Sequence, residues 1–304
     1  MRFRKSAYQF FVRGLISLGG FMNAGCVRRT RRELGMDHEP YGFTVTENIV
    51  FTPDEWDCEL QGDLYLPDIN IDLNCETEAD LKTLPVVLLV HGGGWAENDN
   101  RYQMKKLAQS IVQEGFAVFS ITYRLAPEYV FPAQVDDLLE AVNWLSKNAC
   151  THQLNLQKTI IYGYSAGGHL AELAAIRKEE MPEDVRIRAV VAGGAPHFMR
   201  LDPDYPLVQQ FMGHSWQENV DRYREATPVD AVTEDFPPAF IYHGAKDVLC
   251  PSPHVEKWDA RLLQLGIEHA IHWVKGKGHI GTFLTPRDAV IRAIQFMHEK
   301  IEDD

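Results

Sequence analysis

Residues 159–169 read TIIYGYSAGGH, and this stretch decides the fold. Its first half is a run of β-branched and aromatic residues closed by glycine, the pattern of a strand covered on both faces. Its second half continues as LAELAAIRK to residue 178, a series of good helix formers. Between the two lies G-x-S-x-G. In a strand-to-helix setting this pattern describes a strained turn that lifts the serine hydroxyl above the sheet. Gly163 and Gly167 then remove the side chains that would collide there.

Working outward, the same alternation recurs. PVVLLVHG (85–92), FAVFSITYR (116–124), IRAVVAGG (187–194), PAFIYHG (238–244) and EHAIHWVKG (268–276) read as strands, and 43–51 with 59–67 as an antiparallel opening pair. Helical periodicity covers 100–115, 132–148, 166–178, 252–265 and 286–301. Strands separated by helices of this length predict one α/β domain over residues 41–304, with a mostly parallel sheet and helices on both faces. Residues 195–236 form a long connection rich in proline, aromatic and charged residues. A connection of that length is expected to be functional, here as a small lid.

The formal net charge of −13 excludes a nucleic-acid binder, because a polyanion would be repelled by most of the surface. Residues 1–32 run against it, with eight Lys or Arg and no acid. Within the segment 1–40, Phe10, Phe11, Leu15, Leu18 and Phe21 make the apolar side of a helix. That helix reads either as a cap on the catalytic domain or as a basic amphipathic helix on an anionic membrane surface. The uncharged stretch from Gly14 to Val27 is too short to span a bilayer. Either reading implies a cytoplasmic protein, peripheral to the membrane in the second case. Five scattered cysteines without C-x-x-C spacing agree with free thiols in a reducing compartment.

Acyl-transfer chemistry at Ser165 needs a base, an acid to orient it and donors for a developing oxyanion. HGGGW (91–95) follows a strand, and the N–H groups of Gly93 and Gly94, with that of Ala166, are the expected oxyanion donors. In a strand-and-helix plan of this kind the acid and base follow the serine in that order, on loops after later strands. Asp247 in HGAKD and His279 in GKGH stand at those places. His169 lies only four residues from Ser165, but on the helix that leads away from the hydroxyl, and is expected to be hydrogen-bonded within the fold. His269 and His272 sit mid-strand, whereas His243 and His91 are expected to brace their loops. Asp202, Asp204, Asp230 and Asp235 read as solvated charges. Trp95, Phe198, Phe211 and Trp216 are candidate walls of a substrate pocket, with core packing as the alternative.

With these residues in place the chain resembles the α/β-hydrolase superfamily, and within it the hormone-sensitive-lipase-like and related bacterial carboxylesterases. HGGGW at 91, YRLAPEYVFPAQVDD at 123, GYSAGG at 163, HGAKD at 243 and GKGH at 276 carry the resemblance. It implies an α/β-hydrolase fold, Ser165 as nucleophile, His279 as base and Asp247 as orienting acid, and it makes Arg124, Glu128 and Asp136 a structural brace. The implied activity is hydrolysis of short- to medium-chain carboxylic esters through an acyl-enzyme, acting on small-molecule substrates without metal or organic cofactor. Alternatives are an arylformamidase-like amide hydrolase, an acetyl or feruloyl esterase of plant-derived saccharides, and a non-catalytic binding protein on the same fold. The chain departs from the family at AENDN, where a glycine often follows HGGGW, and in its first forty residues.

Overall fold

The computed structural model describes residues 39–69, 83–96 and 101–302. The expectations for the basic segment 1–32, cap or membrane-surface helix, lie outside these residues.

Eight strands form one sheet: β1 (Phe43–Val50), β2 (Gln61–Pro67), β3 (Leu84–Val90), β4 (Ala117–Ile121), β5 (Leu154–Tyr164), β6 (Ile187–Gly193), β7 (Ala239–Gly244) and β8 (His269–Val274). Their spatial order is β1-β2-β4-β3-β5-β6-β7-β8. The β1–β2 and β2–β4 pairs are antiparallel and every later pair is parallel. Among the described residues the α-helices are α1 (Arg101–Val112), α2 (Ala133–His152), α3 (Ala166–Ile176), α4 (Pro206–Met212), α5 (Val220–Glu225), α6 (Pro228–Ala231), α7 (Pro253–Leu265), α8 (His279–Leu284) and α9 (Arg287–Glu302). Among the described residues no helix is long and apolar enough to cross a membrane.

The continuous apolar run Val86–Val90 is fully buried, as a central parallel strand requires. Each such side chain contributes about 1.5–3 kcal/mol through removal of apolar surface from water. Because β3, β5, β6 and β7 are in parallel register, their carboxyl ends gather at one edge. Val90 lies opposite Gly163, Gly163 opposite Ala192 and Gly193 opposite Tyr242. The loops that leave this edge carry the candidate site.

Two local features differ from the sequence reading. Strand β5 begins at Leu154 rather than 159, directly after Gln153 ends α2 in a left-handed turn. Polar Asn155, Gln157 and Lys158 interrupt the apolar run there, yet Leu154 and Leu156 alternate inward. The expected brace also has a different partner. Arg124 pairs with Asp137 at 2.7 Å, while Asp136 pairs with Arg177 at 2.7 Å. Adjacent residues on a helix point about 100° apart, so Asp137 faces the core and Asp136 the surface. Glu128 is exposed.

Residues 195–236 fold as a 3₁₀ turn followed by α4, α5 and α6. They bury Met199, Val208, Phe211, Met212, Tyr223 and Ala226 in the main core cluster.

Candidate active site

Ser165 stands between β5 and α3 with φ +56° and ψ −123°. A non-glycine residue at positive φ costs about 1–3 kcal/mol, and such strain persists only where the surroundings over-determine it. Here they do. The Ser165 N–H donates to the Gly193 carbonyl at 2.7 Å. A Cβ on Gly163 would strike the Gly167 backbone, and one on Gly167 would strike the carbonyls of Val90 and His91. Both elbow glycines are therefore required by close backbone approach.

His279 opens α8, with its Nε2 2.9 Å from Ser165 Oγ and its Nδ1 2.7 Å from Asp247 Oδ2. The other Asp247 oxygen accepts from the N–H groups of Leu249 and Cys250, each at 2.9 Å. Burial would raise the Asp247 carboxyl, but the His279 hydrogen bond and charge, the Cys250 N–H and His243 together hold it below the usual carboxylate value. The Tyr164 hydroxyl donates to the His279 carbonyl at 2.6 Å, fixing the backbone of the histidine from the residue next to the serine. Sequence reasoning missed Tyr164, since the middle residue of G-x-S-x-G carries no pattern of its own.

The HGGGW loop lies against this turn. A Cβ on Gly92 would come 2.9 Å from the Tyr164 carbonyl and 3.2 Å from Ser165 Cβ. Gly93, Gly94 and Trp95 have φ of +126°, +60° and +61°. Ala166 is the first residue of α3, so its N–H is among those that a helix leaves without an intrahelical acceptor. The positive end of the α3 dipole faces the same way.

The remaining candidates are placed as follows. His169 is fully buried, and both ring nitrogens are engaged: Nε2 with the Ala226 carbonyl at 2.8 Å, Nδ1 with Trp95 Nε1 at 3.3 Å. His243 bonds the Cys250 carbonyl at 2.7 Å and so braces the Asp247 loop. His91 stacks on Tyr123 at 4.3 Å. His269 pairs with Asp259 and His272 with Asp288. Asp202 and Asp204 are exposed, and Asp235 is exposed and paired with Lys178. Asp230 departs from the solvated reading, being half-buried and paired with Arg200. Of the expected pocket walls, Trp95 and Phe211 are core residues stacked on each other at 4.7 Å. Phe198 and Trp216 are half-buried and flank the Arg200 guanidinium at 5.0 and 5.7 Å. Among the described residues no group of three or more His, Cys, Asp or Glu side chains is placed to hold a metal ion.

Sheet order, the strained serine turn and a Ser–His–Asp relay at the carboxyl edge of the sheet define the α/β-hydrolase class. The chain belongs to the BD-FAE family, which it matches over residues 71–262. It is similar to Esterase LipQ of Mycobacterium tuberculosis, 29% identical over 195 residues that make up 60% of this chain and 46% of the relative. Esterase LipC of the same organism is 29% identical over 196 residues, 60% of this chain and 49% of the relative. The chain thus spans about half the length of these curated relatives. Among solved structures, a truncated carbohydrate esterase from gut microbiota superposes with a TM-score of 0.72 at 21% identity, covering 88% of this chain and 99% of that one. A bacterial heroin esterase gives 0.67 at 23% identity, covering 90% of each chain.

Proposed function

We propose that this chain is a serine carboxylesterase acting on short- to medium-chain esters of small molecules through an acyl-enzyme. The observation that carries this reading is the unbroken relay from Ser165 Oγ to His279 at 2.9 Å and on to Asp247 at 2.7 Å, at a strained turn. The names of the curated relatives support the same chemistry.

In the reaction, Ser165 Oγ bonds to the ester carbonyl carbon as its proton passes to His279 Nε2. The carbonyl electron pair moves onto oxygen, where the N–H groups of Gly93, Gly94 and Ala166 receive the negative charge. The intermediate collapses, the alkoxy group leaves with the proton from His279, and the acyl group stays on Ser165. Water then enters: His279 takes its proton, hydroxide adds to the acyl carbon, and the proton returns to Ser165 Oγ as the acid departs. Asp247 holds the Nδ1–H tautomer and stabilises the imidazolium that forms in each half-reaction.

The test is a panel of nitrophenyl acetate, butyrate and octanoate, with N-formylkynurenine and acetylated xylo-oligosaccharide, run beside Ser165→Ala. The expected result is hydrolysis of the shorter nitrophenyl esters that Ser165→Ala abolishes. Ester turnover that survives Ser165→Ala, or none in the wild type, overturns the proposal. Faster turnover of the formamide or of the saccharide ester reassigns the substrate.

A further inference from the structure

His169 is the second residue of chemical character in GYSAGGH, and the relay does not use it. Its partners give it another place. The ring is fully buried on α3, one turn beyond the serine. Nε2 donates to the Ala226 carbonyl at 2.8 Å, so the neutral ring must present Nδ1 as an acceptor, and the Trp95 indole N–H reaches it at 3.3 Å. Burial, the leading cause, depresses the imidazole to about 3, so this tautomer persists across the neutral range.

Trp95 is an unusual residue to find where it stands. It holds φ +61° directly after Gly93 and Gly94, a conformation in which glycine is the unstrained choice. The strain is matched by contacts on every side. Its indole meets the His169 ring edge-on at 5.2 Å and lies flat on Phe211 at 4.7 Å. Its carbonyl accepts from Ala126 N–H at 2.9 Å. The side chain is thereby fixed from the nucleophile helix below and from the 195–236 segment beside it. Its own backbone continues the loop that carries the Gly93 and Gly94 N–H groups.

The geometry points to His169 as a positioning residue that sets the oxyanion loop by holding the Trp95 indole, and so acts on the transition state rather than on proton transfer. This inference rests on the serine-hydrolase reading of the same site. It predicts losses that appear where the oxyanion forms. A displacement on the order of 1 Å at an active site costs about 10²-fold in rate, and loss of one oxyanion donor 10²–10³-fold.

The experiment compares Trp95→Phe, His169→Gln, His169→Ala and the Trp95→Phe/His169→Gln pair with wild type. Steady-state kinetics on nitrophenyl butyrate are measured with the inhibition constant of a trifluoromethyl ketone, whose adduct occupies the oxyanion site. Trp95→Phe keeps an aromatic ring against Phe211 and removes the indole donor together with part of the ring. It is expected to lower kcat about tenfold with KM within about twofold, and to weaken the ketone in proportion. His169→Gln retains one acceptor and one donor and is expected to keep most of the activity that His169→Ala loses. The pair is expected to be no worse than Trp95→Phe alone, because without the indole donor the side chain at 169 has no bond to residue 95 left to lose. Folded Trp95→Phe with kcat/KM within about twofold of wild type, or a fall in kcat/KM with unchanged ketone affinity, overturns the inference. Should His169→Ala fail to fold, Trp95→Phe and His169→Gln carry the same comparison. Failure of the underlying reading looks different: wild type would then escape labelling by a fluorophosphonate, or Ser165→Ala would remain active.

Discussion

The backbone N–H of Lys246 donates to the carbonyl of Lys277 at 2.8 Å, tying the loop that ends in Asp247 to the loop that ends in His279. Strands β7 and β8 deliver the two loops side by side, with Gly244 opposite Val274 and the Ala245 N–H on the Val274 carbonyl at 3.1 Å. Asp247 and His279 are therefore aligned by backbone before their side chains meet.

That division of labour predicts the behaviour of Asp247→Asn. The asparagine oxygen can still accept from Leu249 and Cys250, so the loop is expected to keep its shape. Its amide nitrogen would face His279 Nδ1 and select the tautomer with the proton on Nε2, which cannot take the Ser165 proton. Ester turnover is expected to fall about 10⁴-fold, with a melting temperature close to that of wild type. A loss of less than tenfold in kcat/KM would remove Asp247 from the mechanism.

The Tyr164 hydroxyl makes the opposite kind of contribution, since it holds the backbone of His279 and not the ring. Tyr164→Phe removes one donor from a carbonyl that also accepts within α8, at a cost of about 0.5–1.5 kcal/mol. The expected result is a lower urea midpoint together with a reduced kcat at nearly constant KM. An unchanged midpoint would show that the bond within α8 satisfies the carbonyl without the tyrosine.

The strand and helix plan was legible because period and punctuation agree locally. Val86–Val90 is too apolar for anything but a central strand, and the glycines at 163 and 167 mark the only backbone that admits the turn. Asp247 and His279 followed from their place after strands. What stayed hidden depends on direction and on distant packing. Asp136 and Asp137 are equal in composition, and only the helix phase decides which one meets Arg124. Trp95 and Phe211 are aromatic residues near a site in either reading. Their mutual stacking in the core needs the segment from 206 to 212 folded back across the elbow, which no local pattern announces.

The phase of α2 gives a direct test of the corrected brace. Asp137 is fully buried and accepts from the Arg124 backbone and guanidinium at 2.7 Å, while the Asp136 side chain is 39% exposed. Asp137→Ala leaves the arginine without its buried partner and is expected to cost about 3–5 kcal/mol. Asp136→Ala breaks a surface pair and is expected to cost under about 1 kcal/mol. Urea denaturation of the two variants settles the matter, and equal losses would contradict the assignment.

Acid stability follows from a group of histidines that the reaction does not use. His169, His197 and His254 are depressed to about 3 and His243 to about 4, in every case chiefly by burial. The unfolded chain binds a proton at each near pH 6.5, whereas the folded chain does not. Stability from each histidine is thus complete above about pH 6.5 and declines as pH falls toward the folded value, by about 1.4 kcal/mol per unit. Two buried carboxyls act with the opposite sign, Glu172, raised by burial, and Asp137, raised to about 6 mainly by burial, so the whole-protein slope is smaller than four protons would give. The difference between wild type and one variant isolates a single term. His254 Nδ1 accepts from the Phe198 N–H at 3.2 Å, a bond that a glutamine oxygen can also make. His254→Gln is therefore expected to fold, to differ little in stability at pH 7.5, and to gain on wild type by about 1.4 kcal/mol between pH 7.5 and 5.5, about 1 kcal/mol of it between pH 6.5 and 5.5. Urea midpoints at the three pH values measure that gain, and parallel curves for the two proteins would mean that His254 titrates normally in the folded state.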